Sequence, residues 1–143
     1  MEKRKLDYYE KKYERNPVED AIKCISNKWT LHILRDLFLG KTRFSEFQTN
    51  RKTLDNKSLT RCLKTMEKNE LIEKKVENDE VTYHLTEKGH SLNKVFYELL
   101  IFALENDKEN EHYSEYEKEE LREMYLEILD LEQEYSGQET PDY

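Results

Sequence analysis

The sequence predicts a mostly helical α+β chain with one small β-hairpin, and three observations carry that prediction. Three Gly and two Pro in 143 residues leave few turn positions, which suits helices joined by short connections rather than sandwiches or barrels. Apolar residues recur at helical spacing along most of the chain. Between residues 72 and 85 that period gives way to alternation, the mark of strands.

Each element follows from its residues. Residues 5–14 bring Leu6, Tyr9 and Tyr13 to one helical face. Asn16-Pro17 interrupts that helix: Pro17 fits the first turn of the next, Asn16 caps it, and Val18, Ala21, Ile22 and Ile25 form an apolar stripe ending at Ser26. A helix over 29–39 turns Trp29, Ile33, Leu34, Leu37 and Phe38 inward, and Gly40 stops it. Residues 43–50 give a brief helix carrying Phe44 and Phe47. Asp55 or Asn56 caps the next helix, 56–68, which turns Leu59, Leu63 and Met66 inward and Lys57, Thr60, Arg61 and Lys64 outward. Strands over 72–77 and 81–85 flank a polar tip, Asn78-Asp79-Glu80. Thr86 and Lys88-Gly89 restart a helix over 87–105, whose Leu92, Val95, Phe96, Leu99, Phe102 and Ala103 make a broad apolar face. Residues 105–120 are nearly all polar, either a solvated connection or a helical extension. Leu121, Met124, Ile128, Leu131 and Tyr135 then form a heptad-like seam on a helix over 114–135, and Ser136 to Tyr143 reads as a frayed end.

Composition excludes several classes of function. Hydrophobic residues make up 36% and charged residues 39%, so the core is thin and the surface heavily charged. The longest apolar run, Leu99 to Leu104, is far shorter than the roughly 20 residues of a membrane-spanning helix, so no membrane association is expected. Residues 1–15 are charged throughout and lack the apolar stretch of a secretory signal, which points to the cytoplasm. Cys24 and Cys62 lack CxxC spacing, and His32, His84, His90 and His112 lack metal-ligand spacing, so no disulfide, metal or cofactor is expected. Gly-rich phosphate loops, nucleophile elbows and paired-acid motifs are missing, so the chain does not read as an enzyme.

Charge is distributed unevenly. Residues 1–90 hold 20 basic and 16 acidic side chains, net +4, whereas residues 91–143 hold 4 and 16, net −12. Within 41–64, seven bases (Lys41, Arg43, Arg51, Lys52, Lys57, Arg61, Lys64) meet two acids, Glu46 and Asp55. Such asymmetry implies one surface that meets a polyanion and another that does not; a uniformly solvated Lys/Glu surface is the plain alternative.

Three short helices, a hairpin and a further helix make the layout of a winged helix-turn-helix. Asn16-Pro17-Val18-Glu19, Lys28-Trp29-Thr30-Leu31-His32-Ile33-Leu34-Arg35-Asp36-Leu37, Arg43-Phe44-Ser45-Glu46-Phe47, Asn56-Lys57-Ser58-Leu59-Thr60-Arg61-Cys62-Leu63 and Tyr83-His84-Leu85-Thr86-Glu87-Lys88-Gly89 resemble, in order and spacing, the HxlR-type regulators, a MarR-like family. The resemblance covers roughly residues 15–104. It implies a cytoplasmic transcription factor that binds double-stranded DNA as a homodimer through a winged helix. In that reading residues 1–106 are the winged-helix domain with N-terminal and C-terminal dimerisation helices, and residues 107–143 are an acidic helical extension. Two departures stand out. The cysteine that the family commonly carries before Pro-Val-Glu, used by some members for thiol sensing, is Asn16 here. Glu70 replaces the usual Gly after the fourth helix, which assigns the left-handed turn to Asn69.

Physical chemistry assigns roles on that layout. The helix over 56–68 enters the major groove, where Arg61 offers a bidentate fork to guanine, Lys57 and Lys64 reach phosphate or guanine, and Ser58 and Thr60 bond to either. Arg43 and Ser45 start the preceding helix, whose amide groups favour a phosphate. Lys74 and Lys75 sit at the base of the wing, while its acidic tip does not suit phosphate. Leu6, Tyr9 and Tyr13 together with Leu92, Val95, Phe96, Leu99 and Phe102 are expected to build a two-fold dimer seam on a palindromic operator. The 121–135 seam either extends that interface or packs back on its own subunit. Cys62, beside Lys and Arg, is a candidate thiol sensor at the DNA face, or else a small residue tolerated at the groove edge. The rival function is a protein-interaction module that kept the fold, lost DNA and pairs through its acidic C-terminal helix.

Overall fold

The computed structural model describes residues 2–135; the frayed end expected from Ser136 to Tyr143 lies outside them. Helix α1, Lys3–Lys12, buries none of its residues, and Leu6, Tyr9 and Tyr13 face outward. Helix α2, Pro17–Ile25, starts as its sequence dictates, with Pro17 in the first position and Asn16 Oδ1 accepting from the N–H groups of Val18 (3.0 Å) and Glu19 (3.3 Å). Its apolar stripe divides. Cys24 and Ile25 pack on the core, whereas Val18 and Ile22 stay exposed.

The centre is made by α3, Thr30–Phe38, crossing α5, Asn56–Lys68. Ile33, Leu34 and Leu37 of the first meet Leu59, Cys62, Leu63 and Met66 of the second. Phe47 of the single-turn helix α4, Phe44–Phe47, closes one side, with Leu54, Leu71, Ile72 and Tyr83. A buried ion pair fixes the approach to α5. Asp36 carries no exposed surface and receives both ends of the Arg51 guanidinium, one at 3.0 Å (Nη2 to Oδ1), while Arg51 Nη1 also donates to Phe47 O at 2.8 Å. Lys41 Nζ lies 3.8 Å from the same carboxylate. The fork ties α3 to the loop that enters α5, so the pose of that helix is set by charge-assisted bonds as well as packing.

Strands β1, Ile72–Glu77, and β2, Glu80–Leu85, pair antiparallel from Ile72↔Leu85 to Glu77↔Glu80. Asn78 (φ 50°) and Asp79 (φ 64°) make the two-residue turn, so Glu80, expected in the tip, joins the strand. Tyr83 N–H donates to Thr42 O at 2.8 Å and seats the hairpin against the α3–α4 loop. The left-handed residue between α5 and β1 is Glu70 (φ 60°), not Asn69. Asn69 is otherwise engaged: its Nδ2 donates to Cys24 O (3.3 Å), and its carbonyl accepts from Lys88 Nζ (2.8 Å).

The helix expected over 87–105 is two, α6, Glu87–His90, and α7, Asn93–Glu105. Gly89 lies so close to the start of β1 that a Cβ there would stand 2.0 Å from Leu71 O, so α6 is pressed on the hairpin base and the chain re-aims before α7. The 105–120 stretch contains a short 3₁₀ turn, Lys108–Asn110, before α8, Glu115–Ile128, and α9, Glu132–Tyr135. The helix expected over 114–135 is interrupted where Asp130 turns left-handed (φ 57°), which lets Leu129 and Leu131 both enter the core with no exposed surface. The end of the seam, Leu131 and Tyr135, therefore packs on its own subunit, whereas Met124 stays exposed. Tyr135 lies 4.7 Å from Tyr97, ring to ring, Asn93 Nδ2 donates to Leu129 O (3.0 Å), and Lys94 pairs with Glu134 (2.8 Å). At the near end, buried Asp107 accepts from the N–H groups of His112 (3.0 Å) and Tyr113 (2.9 Å), and buried Lys118 donates to its carbonyl (2.7 Å). Among the described residues no helix is long and apolar enough to cross a membrane.

Candidate nucleic-acid interface

Helix α5 divides cleanly by function of side chain. Leu59, Cys62, Leu63 and Met66 are committed to the core, which leaves Asn56, Lys57, Thr60, Arg61, Lys64 and Thr65 lining one shallow, open surface. Lys57, Thr60, Arg61 and Lys64 are exposed, and none of the three cations forms an ion pair with a described residue. Asp55 resolves the choice of cap: its Oδ1 accepts from Ser58 N–H at 2.7 Å. That bond and one from the Ser58 hydroxyl hold the Asp55 carboxyl below the usual carboxylate range. Ser58, whose N–H serves the cap, is half-buried beside that surface.

Other expected members are drawn away from this surface. The Arg43 guanidinium pairs with Glu80 of the wing at 3.0 Å, so it is anchored to an acid before any phosphate arrives. The start of α4, expected to favour phosphate, is filled by the chain's own Glu46, whose Oε1 accepts from the N–H groups of Arg43 (3.1 Å) and Thr42 (3.3 Å). Ser45 remains exposed there. Lys74 and Lys75 are exposed but fall on opposite faces of the hairpin, since side chains alternate along a strand. Lys74 is on the face of Tyr83, and Lys75 on the other, 3.7 Å from Glu73. Lys41 and Arg51, counted in the basic segment, are internal partners of Asp36. Charge counting missed this because it cannot tell a braced cation from a free one.

Cys62 is corrected. It has no exposed surface, sits 3.8 Å from Thr30 Oγ1 and 3.7 Å from Met66 Sδ, and burial pushes its thiol up rather than toward thiolate. One residue earlier, at the position of exposed Arg61, it would have faced the groove, but at i+3 from Leu59 it shares the core stripe. Cys24 is partly buried, as its stripe implied.

The second expected surface is partly free. Val95, Leu99 and Phe102 of α7 are exposed, Phe102 by 67%, as are Leu6, Tyr9 and Tyr13 of α1. Phe96 is instead buried within the subunit, 5.6 Å ring to ring from Phe38, and Leu92 packs on the core. Helix α7 buries Phe96, Tyr97 and Leu104 along other faces, so the free stripe is narrower than the sequence suggested.

One group escaped the sequence reading. Gln48 Nε2 donates to Asn56 Oδ1 at 2.7 Å and to Leu54 O at 3.3 Å, bridging the turn after α4 to the first residue of α5. Asn56 read as a possible cap, and nothing in the spacing of Gln48 marked it.

Comparison with known proteins gives a consistent picture. The HxlR-like helix-turn-helix family profile matches residues 24–111. Over 89 residues the chain is 34% identical to the HTH-type transcriptional regulator YodB of Bacillus subtilis (strain 168), covering 60% of this chain and 80% of YodB. Over 100 residues it is 35% identical to the HTH-type regulator YdeP of the same organism, covering 66% and 78%. The fold is similar to that of the reduced form of YodB from B. subtilis, with a TM-score of 0.56 and 32% identity over 70% of this chain and 99% of that one.

Proposed function

Because the chain belongs to the HxlR-like helix-turn-helix family of transcriptional regulators, which are not enzymes, we propose that it is a cytoplasmic, sequence-specific DNA-binding regulator that acts as a homodimer on a palindromic operator. The observation that carries this reading is the outward face of α5, where Lys57, Arg61 and Lys64 stand exposed and pair with no described residue while neighbouring cations are consumed by Asp36 and Glu80. A helix so exposed fits the major groove, with Arg61 forking to a guanine and Thr60 beside it, and Lys57 and Lys64 on phosphates. Ser45, Lys74 and Arg43 supply peripheral backbone contacts; Arg43 does so by exchanging Glu80 for a phosphate.

Residues 1–106 act as the winged-helix unit in this reading, and residues 107–143 as an acidic extension that buttresses it. The dimer forms through Val95, Leu99 and Phe102 of α7, Leu6 and Tyr9 of α1 and Tyr13 just after it, an apolar surface left exposed among the described residues. A two-fold axis through it sets two α5 helices about 34 Å apart, one turn of DNA. The interaction-module alternative is the weaker reading, since the end of the extension's seam, Leu131 and Tyr135, packs on its own core.

The test is binding to duplex DNA as salt is varied. Several phosphate contacts give a log–log slope of about −0.9 per phosphate neutralised, and Lys64→Ala makes that slope shallower by about one contact at equal cost on all sequences. Arg61→Ala instead relaxes discrimination at one base pair by about 1–3 kcal/mol. Absence of any DNA binding at low salt overturns the reading, and equal losses for both variants on every sequence overturn the division of roles.

A further inference from the structure

The first turn of α5 contains a side-chain pair that neither the cap nor the core requires. Asp55 supplies the cap, so Asn56, the first helical residue, has no structural duty within the helix. Its Oδ1 nevertheless accepts a 2.7 Å hydrogen bond from Gln48 Nε2, and Gln48 is itself pinned to Leu54 O. No described residue accepts from Asn56 Nδ2, and the side chain opens on the same surface as Thr60, Arg61 and Lys64. The Gln48 bond decides which way round the amide lies, oxygen toward Gln48 with one lone pair free, amino group outward.

An amide held that way has a specific complement. The major-groove edge of adenine places the N7 acceptor beside the N6 donor, so Asn56 Nδ2 donates to N7 while the free lone pair of Oδ1 accepts from N6. Guanine carries O6 where adenine carries N6, which would set oxygen against oxygen. Turning the amide over does not rescue guanine, since Oδ1 would then oppose N7, so the amide matches adenine and only in the orientation that the Gln48 bond holds. Residues at the N-terminal end of a recognition helix are the ones that reach base edges. We infer that Asn56 is a specificity-determining residue that reads an adenine in each half-site, and that Gln48 is the positioning residue that holds its amide in the orientation adenine requires. The inference rests on the DNA-binding function proposed above and adds to it the base that one position selects.

The experiment is selection of binding sites from randomised duplexes by the full chain, as wild type, Asn56→Ala and Gln48→Ala, with circular dichroism to confirm that each variant is folded. The wild type enriches a motif with one adenine position per half-site, preferred by roughly tenfold or more. Asn56→Ala keeps the rest of the motif and loses that preference, and Gln48→Ala keeps adenine there with a several-fold weaker preference, because the amide is no longer held in the matching orientation. In the selected site, 7-deazaadenine at that position, which lacks the N7 acceptor, weakens binding of the wild type and leaves Asn56→Ala unaffected. An unchanged motif for Asn56→Ala, or an equal loss of affinity on all sequences, overturns the inference and leaves the DNA-binding reading intact. A wild type that enriches no motif overturns both.

Discussion

Glu70 holds a left-handed backbone (φ 60°) at the junction of α5 and β1, a conformation that costs a non-glycine residue about 1–2 kcal/mol. Asn69, better suited to that conformation, is unavailable because Lys88 and Cys24 fix its backbone carbonyl and side-chain amide. Glu70→Gly is therefore expected to stabilise the protein by about 1 kcal/mol, less the extra freedom that glycine gains in the unfolded chain, read as a rise in Tm. The two cysteines make a second prediction at this scale. With Cys62 sealed in the core and its thiol raised by burial, a maleimide at neutral pH modifies Cys24 in the native protein and reaches Cys62 only on unfolding. Peptide mass analysis after brief labelling checks the order, and native labelling of Cys62 first would contradict the packing described.

Most of the C-terminal extension lies beyond the family match, which ends at residue 111, yet its described part packs on the core through Tyr125, Leu126, Leu129, Leu131 and Tyr135. Asp107 is its near fastening. Burial opposes its charge, but the N–H groups of His112 and Tyr113 and the ammonium of Lys118 hold its carboxyl below the ordinary value of 3.8. A carboxyl lowered in the folded state contributes stability that is fully present above the ordinary value and is lost as pH falls through the lower, folded one. Asp107→Asn should thus lower Tm at neutral pH and flatten the acid limb of the Tm–pH curve below about pH 4; an unchanged acid limb would show that the fastening is idle. The same element marks where sequence reasoning ran out. Helical period and alternation found the helix positions and the hairpin, because both depend on residues close in sequence. The direction of the 121–135 seam depends on Asp130, whose left-handed turn sends Leu129 and Leu131 inward together, and a polar Asp between two leucines gives no sign of that. The break before α7 was hidden similarly, since it follows from Gly89 meeting Leu71, a contact between distant segments. At the candidate site the outward face of α5 was legible from its spacing. The loss of Arg43, Lys41 and Arg51 to acids, and the bond from Gln48 to Asn56, were not, because pairing partners up to 37 residues apart leave no local pattern.

Among the described residues the governing fact is a division of surfaces, with exposed cations on α5, exposed apolar side chains on α1 and α7, and acids on the extension. A charge placed in the apolar stripe should disrupt pairing without touching the DNA face. Leu99→Glu, at a position 46% exposed in the subunit, is expected to give a folded monomer in sedimentation and to weaken operator binding while leaving helical content unchanged. A dimer that survives it places the two-fold elsewhere. The inward path of Leu129 and Leu131 also bears on how the chain is made. Translation delivers the recognition helix and hairpin first, and at about 5–20 residues per second the two leucines follow Glu105 by a second or more. For that interval the finished DNA-facing surface rides on a core still missing two of its fully buried side chains. A message cut short within the extension therefore yields a polypeptide with the outward face of α5 complete and a gap in the core that supports the fold, a substrate for quality control before it is a rival to the full chain.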